Sequence, residues 1–134
     1  MVMARLLFDR RVKLVCAALW GVAWIGAAAA LLLPLGMPTP GRTDLVGHFL
    51  LFGGLAFGAV GFSRRAGQLG WLTLTTIALG TALEFAQRLV PYRTFDPIDM
   101  LANSIGALMG CSAALLVLYL VIRPTELRWR GIAP

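Results

Sequence analysis

The sequence predicts an all-α membrane protein, a four-helix transmembrane bundle with short loops and both chain ends on the cytoplasmic side (N-in/C-in). Three observations predict it. Of 134 residues, 59% are apolar and only 13% are charged, whereas soluble domains run nearer half apolar and a quarter charged. The apolar residues fall in four long runs separated by short polar connections. The basic residues are divided unevenly between those connections, as in proteins oriented by positive loops.

The first run covers residues 12–35, the second 45–62, the third 69–90 and the fourth 98–122. A helix needs about 20 apolar residues to cross a hydrocarbon core about 30 Å thick, so the second run is the shortest that serves and calls for little tilt or a thinned bilayer. Period-2 alternation is missing from all four, and an open sheet edge has no partner in lipid. Arg10, Arg11 and Lys13 ahead of the first run, and Ala27 to Ala30 within it, resemble parts of a signal peptide. The apolar stretch is longer than the 7–15 residues of a signal h-region, so retention as a span is expected. The stretch before it, with Leu6, Leu7 and Phe8 beside Arg5 and Asp9, suits a short interfacial entry to the first helix, and Trp129 suits the same interface.

The connections at 36–43, 63–68 and 91–97 are short enough to make consecutive helices antiparallel neighbours. Nine Lys and Arg residues then fall on one side (Arg5, Arg10, Arg11, Lys13, Arg64, Arg65, Arg123, Arg128, Arg130) and three on the other (Arg42, Arg88, Arg93). The richer side is expected to be cytoplasmic. The net charge of +6 is therefore read as attraction to an anionic leaflet, and nucleic acid is not an expected partner. Cys16 and Cys111 lie inside apolar runs without metal spacing and read as packing residues.

The remaining polar residues gather at the outer level. Asp44 and His48 open the second run, Glu84, Gln87 and Arg88 close the third, Arg93 and Asp96 lie between, and Asp99 and Asn103 open the fourth. Residues four apart share a helix face. Each face continues in small residues: Gly54, Gly58 and Gly61 beyond His48; Thr81, Gly80, Thr76 and Thr73 beyond Glu84; Gly106, Gly110 and Ala113 beyond Asn103. Such spacing lets helix backbones approach closely, so the polar faces are expected to meet inside the bundle in an outward-opening pocket. Taken singly, Asp44 and Asp99 suit helix N-caps, and Gln87 and Asn103 suit interhelical hydrogen bonds. Glu84, placed about 9 Å inside a helix ending near Val90, needs an offsetting partner, and Arg88 at i+4 is the local candidate, with Arg93 or His48 as tertiary ones.

The stretch from Asp44 through His48, Phe49 and Phe52 to Leu55 resembles the first signature of VanZ-like membrane proteins. Glu84 and Gln87, then Arg93, Asp96 and Asp99, then Asn103, Gly106 and Gly110, are similar to its second. The resemblance covers residues 44–110 and departs at Leu45, where many members carry Lys. It implies a multi-pass protein of the bacterial inner (cytoplasmic) membrane, associated through the named member with resistance to teicoplanin, a lipid-tailed glycopeptide. It does not license an enzyme assignment, and no cofactor is expected.

Three functions fit the residues. The first expectation is a protein that binds or handles a membrane lipid or lipid-linked envelope molecule. Its anionic or sugar-bearing headgroup would meet Arg88, Arg93 and His48, within a candidate site of Asp44, His48, Glu84, Gln87, Arg88, Arg93, Asp96, Asp99 and Asn103. Next comes a structural or partner subunit whose polar cluster locks the helices. Last comes an enzyme using His48 as acid or base beside Asp44. A single histidine argues against conventional zinc. A magnesium site from Asp96, Asp99 and Glu84 with a substrate phosphate is compatible with these oxygen donors, but nothing in the spacing demands one, and no metal is expected.

Overall fold

The computed structural model describes residues 9–33, 43–91 and 95–129. The described residues form helices and turns, with no strand among them. Helix α1 spans Arg10–Leu32, α2 Thr43–Gly58, α3 Ala66–Gln87 and α4 Pro97–Val117. A 3₁₀ turn, Ala59–Gly61, extends α2, and a π-helical turn, Leu118–Ile122, leads from α4 into α5, Arg123–Trp129. Four helical segments are long and apolar enough to cross a membrane, and their broad outward apolar faces, such as Leu19, Ile25, Trp71, Leu89 and Leu120, are exposed. In lipid this exposure has no hydrophobic cost, and the chain is a multi-pass membrane protein. The expected interfacial segment 1–8, the loop 36–42, and the side chain of Trp129 lie outside the described residues.

The helix ends have local causes. Asp9 caps α1, its Oδ1 accepting the Arg11 amide at 2.7 Å. Asp96 caps α4 in the same way, accepting the Ile98 amide at 2.8 Å, with Pro97 in the first helical position, where its missing N–H costs nothing. The cap of α4 is therefore Asp96 and not Asp99, because Pro97 fixes the helix start two residues before Asp99. Helix α3 stops at Gln87, three residues earlier than the apolar run suggests, and the chain turns through Arg88 to Val90.

Contacts between named residues fix the arrangement. Gly61 meets Cys16, Gly58 meets Trp20, and Phe52 stacks edge-on against Trp24. These pairs run in opposite order, so α1 and α2 are antiparallel. Trp20 also donates its indole N–H to the Leu55 carbonyl at 2.7 Å. The α2–α4 pair is the most extensively packed. A Cβ added at Gly106 would collide with the Phe49 carbonyl oxygen, and one added at Gly110 with that of Gly53. Both contacts have the same sequence offset, so α2 and α4 run parallel with their N-terminal ends at one level. This is backbone-on-backbone packing through small residues, with carbonyl oxygens set against α-carbons.

Gly106 and Gly110 thus stand at the helix contact. On α2, however, the residue that faces them is Gly53, not Gly54, whose added Cβ would meet nothing within 4 Å. One residue is 100° of helix rotation, which separates an interface from a lipid face. Ala113 likewise points outward and Ala114 is buried. Helix α3 packs against α2 differently: a Cβ on Gly80 would lie 2.5 Å from Phe52 Cε1, so the fit there is side chain into backbone notch. An apolar core of Ala59, Val60, Leu69, Ala114, Leu118 and Ile122, with Cys111 against it, fills the far end.

Candidate functional site

The parallel α2–α4 pair brings Asp44 and His48 against Asp99 and Asn103, and antiparallel α3 adds Glu84 from its last turn. His48 is the centre of the group. Its Nδ1 lies 3.0 Å from Asn103 Oδ1 and 3.6 Å from Glu84 Oε1. Its Nε2 lies 3.9 Å from Asp44 Oδ1 and 3.9 Å from Asp99 Oδ2. With Oδ1 of Asn103 turned to the ring, Nδ1 carries a proton; Nε2, directed between the two aspartates, is then a lone pair in the neutral ring and an N–H in the imidazolium.

The group grades from wet to dry. The Asp44 side chain is 54% exposed, Asp99 15% and His48 3%. Glu84 is 1% exposed, although it stands only about 4.5 Å inside the end of α3. Protein packing, not depth in the bilayer, buries it. Neither Glu84 carboxylate oxygen has a hydrogen-bond partner among the described residues, and neither has Asn103 Nδ2. The Asp96 backbone N–H is turned toward Glu84 but falls short of hydrogen-bond geometry. Native proteins leave few such groups, each costing about 1–3 kcal/mol.

Arg88 does not supply the charge that Glu84 lacks. Its guanidinium stacks 3.9 Å from the centre of the Phe95 ring and 5.3 Å from that of Phe85, and these two rings stack on one another. Arg88 keeps helical backbone angles, φ −59° and ψ −25°, and it is the aromatic pair that holds its side chain. Gln87 is buried and donates from Nε2 to the Leu31 carbonyl at 3.2 Å, tying the end of α3 to the parallel end of α1. Asp96 is occupied by its cap. Arg42 and Arg93 lie outside the described residues.

Of the nine residues expected at the site, the structure brings Asp44, His48, Glu84, Asp99 and Asn103 together. Among described residues, the ion pairs of the three acids all lead to His48. The cluster is closed on its inner side. Phe52, one turn beyond His48 and fully buried, fills the notch at Gly80, and the Thr73 and Thr76 hydroxyls donate to carbonyls of their own helix. Sequence reading missed this plug, because neither an apolar Phe nor a lone Gly signals it until the two helices are placed. The acids weighed for a cation from spacing alone were not the ones whose donor atoms come together. One donor atom each from Asp44, His48 and Asp99 lie within 4.8 Å of one another, not those of Glu84, Asp96 and Asp99.

The comparisons with known proteins agree with this geometry in extent. A protein of Schizosaccharomyces pombe named "Uncharacterized protein C11E3.10" is 35% identical over 98 residues, covering 71% of this chain. The chain spans about half of that relative's length, 54%. No solved structure matches. The VanZ/LLP1 family model matches residues 9–123, from the cap of α1 to the first residue of α5, and the chain belongs to that family.

Proposed function

We propose that this protein binds the polar headgroup of a membrane amphiphile where α2 and α4 begin and α3 ends, and that this end faces away from the cytoplasm. The observation that carries the proposal is the buried, under-partnered Glu84 and Asn103 beside an exposed Asp44. A headgroup with hydroxyls would donate to the Glu84 carboxylate, accept from Asn103 Nδ2, and leave its tail along the apolar outside of the bundle. The Phe52–Gly80 plug favours one-sided binding over passage through the membrane. The scarcity of basic residues at this end supports its outward orientation.

The bacterial cytoplasmic membrane, and protection against a teicoplanin-type glycopeptide, are the setting that the VanZ resemblance implies, and a hydroxyl-rich head on a lipid tail is the same ligand chemistry. A relative in a fission yeast favours a ligand class not confined to bacterial envelopes. The test is purification in mild detergent followed by mass spectrometry of retained lipid. A defined lipid class should accompany the native chain and be depleted several-fold in Glu84→Gln and Arg93→Ala chains that elute as the same species. Retention of an unselected mixture of lipids, equal in all three proteins, would remove the proposal.

A further inference from the structure

We propose that Asp44, His48 and Asp99 form a binding site for a divalent transition-metal ion, Mn²⁺ or Zn²⁺, between the N-terminal ends of α2 and α4. The first argument is distance. His48 Nε2 stands 3.9 Å from an oxygen of each aspartate, too far for a hydrogen bond. An ion bonded to such donors at about 2.0–2.2 Å holds them about 3–3.5 Å apart. Each side chain therefore needs to draw in by well under about an ångström, and exposed Asp44 is free to do so.

The second argument is the ring. With Asn103 accepting from Nδ1, the neutral ring presents its Nε2 lone pair to two carboxylates. A lone pair facing anionic oxygens is repulsive unless a proton or a metal ion lies between them, and 3.9 Å is too long for the hydrogen bond that a proton would make. Metal-bound histidines commonly have this arrangement, one nitrogen ligating and the other donating to a fixed acceptor.

The third argument is charge. Asp44, Asp99 and Glu84 put three carboxylates around one imidazole, and no Lys or Arg among the described residues pairs with them. The two converging helix N-termini contribute about half a positive charge each, so among the described residues roughly two negative charges are not offset. Glu84 provides the independent sign that something is missing. It is almost wholly buried, has no hydrogen-bond partner among the described residues, and is aimed at the Nδ1 side of His48. There it would add negative potential to the ligand histidine without ligating the ion itself.

The donor set chooses the ion. One imidazole with two carboxylates suits Mn²⁺ or Zn²⁺ better than Ca²⁺ or Mg²⁺, which take oxygen donors. Three protein ligands leave positions open on the exposed Asp44 side, and an anionic headgroup such as a phosphate monoester could bind there despite the acids.

The chain is purified in mild detergent, stripped with EDTA and titrated with Mn²⁺. A single ion per chain is expected, with paramagnetic resonance showing coupling to one imidazole nitrogen. Asp99→Asn and His48→Ala should each weaken uptake at least about tenfold, and Glu84→Gln about tenfold. Glu126→Gln, at the opposite end, should leave it unchanged. Absence of uptake, uptake indifferent to Asp99→Asn, or a bound Mn²⁺ without nitrogen coupling overturns the proposal, the last without needing any variant to fold. Lipid retained by EDTA-stripped protein bears only on the headgroup reading, and Mn²⁺ uptake by delipidated protein bears only on the ion.

Discussion

The two ends of the bundle solve the same problem in opposite ways. At the basic end, α2 and its 3₁₀ turn finish with carbonyls that lack helical partners. Arg64 turns back over them, donating to Val60 at 2.9 Å, Ser63 at 2.8 Å and Gly61 at 3.3 Å. Burial pulls the guanidinium below its ordinary value, with Cys16 and Glu126 opposing, yet an arginine stays charged at any physiological pH. Beneath it lies a continuous apolar core. At the acidic end, Glu84 and Asn103 are buried with polar atoms unused, and the nearby Arg88 is held by aromatic rings instead. The basic end also leaves a buried hydroxyl, that of Ser63, without a hydrogen-bond partner among the described residues, but its charged group is engaged by three carbonyls. The other keeps an unmet electrostatic demand, which is the usual cost of a binding site.

Three substitutions test that contrast. Arg64→Ala should have the largest effect, lowering stability by about 2 kcal/mol through the loss of charged hydrogen bonds to three carbonyls, measured by thermal unfolding in detergent. Glu84→Gln should act in the opposite direction. In metal-free detergent solution it should raise stability by about 1 kcal/mol, because a buried carboxylate that accepts no hydrogen bond among the described residues is replaced by a neutral amide. If it destabilises the metal-free chain instead, Glu84 is a satisfied structural group and the two ends are alike. Arg88→Ala should matter least, about 0.5–1 kcal/mol for an exposed cation–π contact. A loss of several kcal/mol, abolished in a Glu84→Gln background, would restore the ion pair expected from i+4 spacing.

The spans were legible in the sequence because lipid imposes a length and a composition, and all four fall within a few residues of the helices. The cluster was legible because Asp44/His48 and Asp99/Asn103 each repeat at one helical turn, and Glu84 sits at the matching end of its own run. Finer assignments failed where one residue decides. Asp96 and Asp99 both suit a cap until Pro97 sets the start of α4. Gly53 and Gly54 differ only by a rotation, and only the partner backbone chooses between them. Arg88 depended on Phe95, whose position follows from a loop and not from periodicity.

The glycine contact between α2 and α4 has a dynamic consequence. Where carbonyl oxygens touch α-carbons, no rotamer change can alter the spacing, so those two helices behave as one rigid piece carrying Asp44, His48, Asp99 and Asn103. Helix α3 meets that piece through the Phe52 ring, which can rotate. The exposed Asp44 side of the cluster is open as it stands, so it is room at the buried Glu84 side that has to come from α3 sliding or tilting, with Glu84 as the moving jaw and the other four side chains as the fixed one.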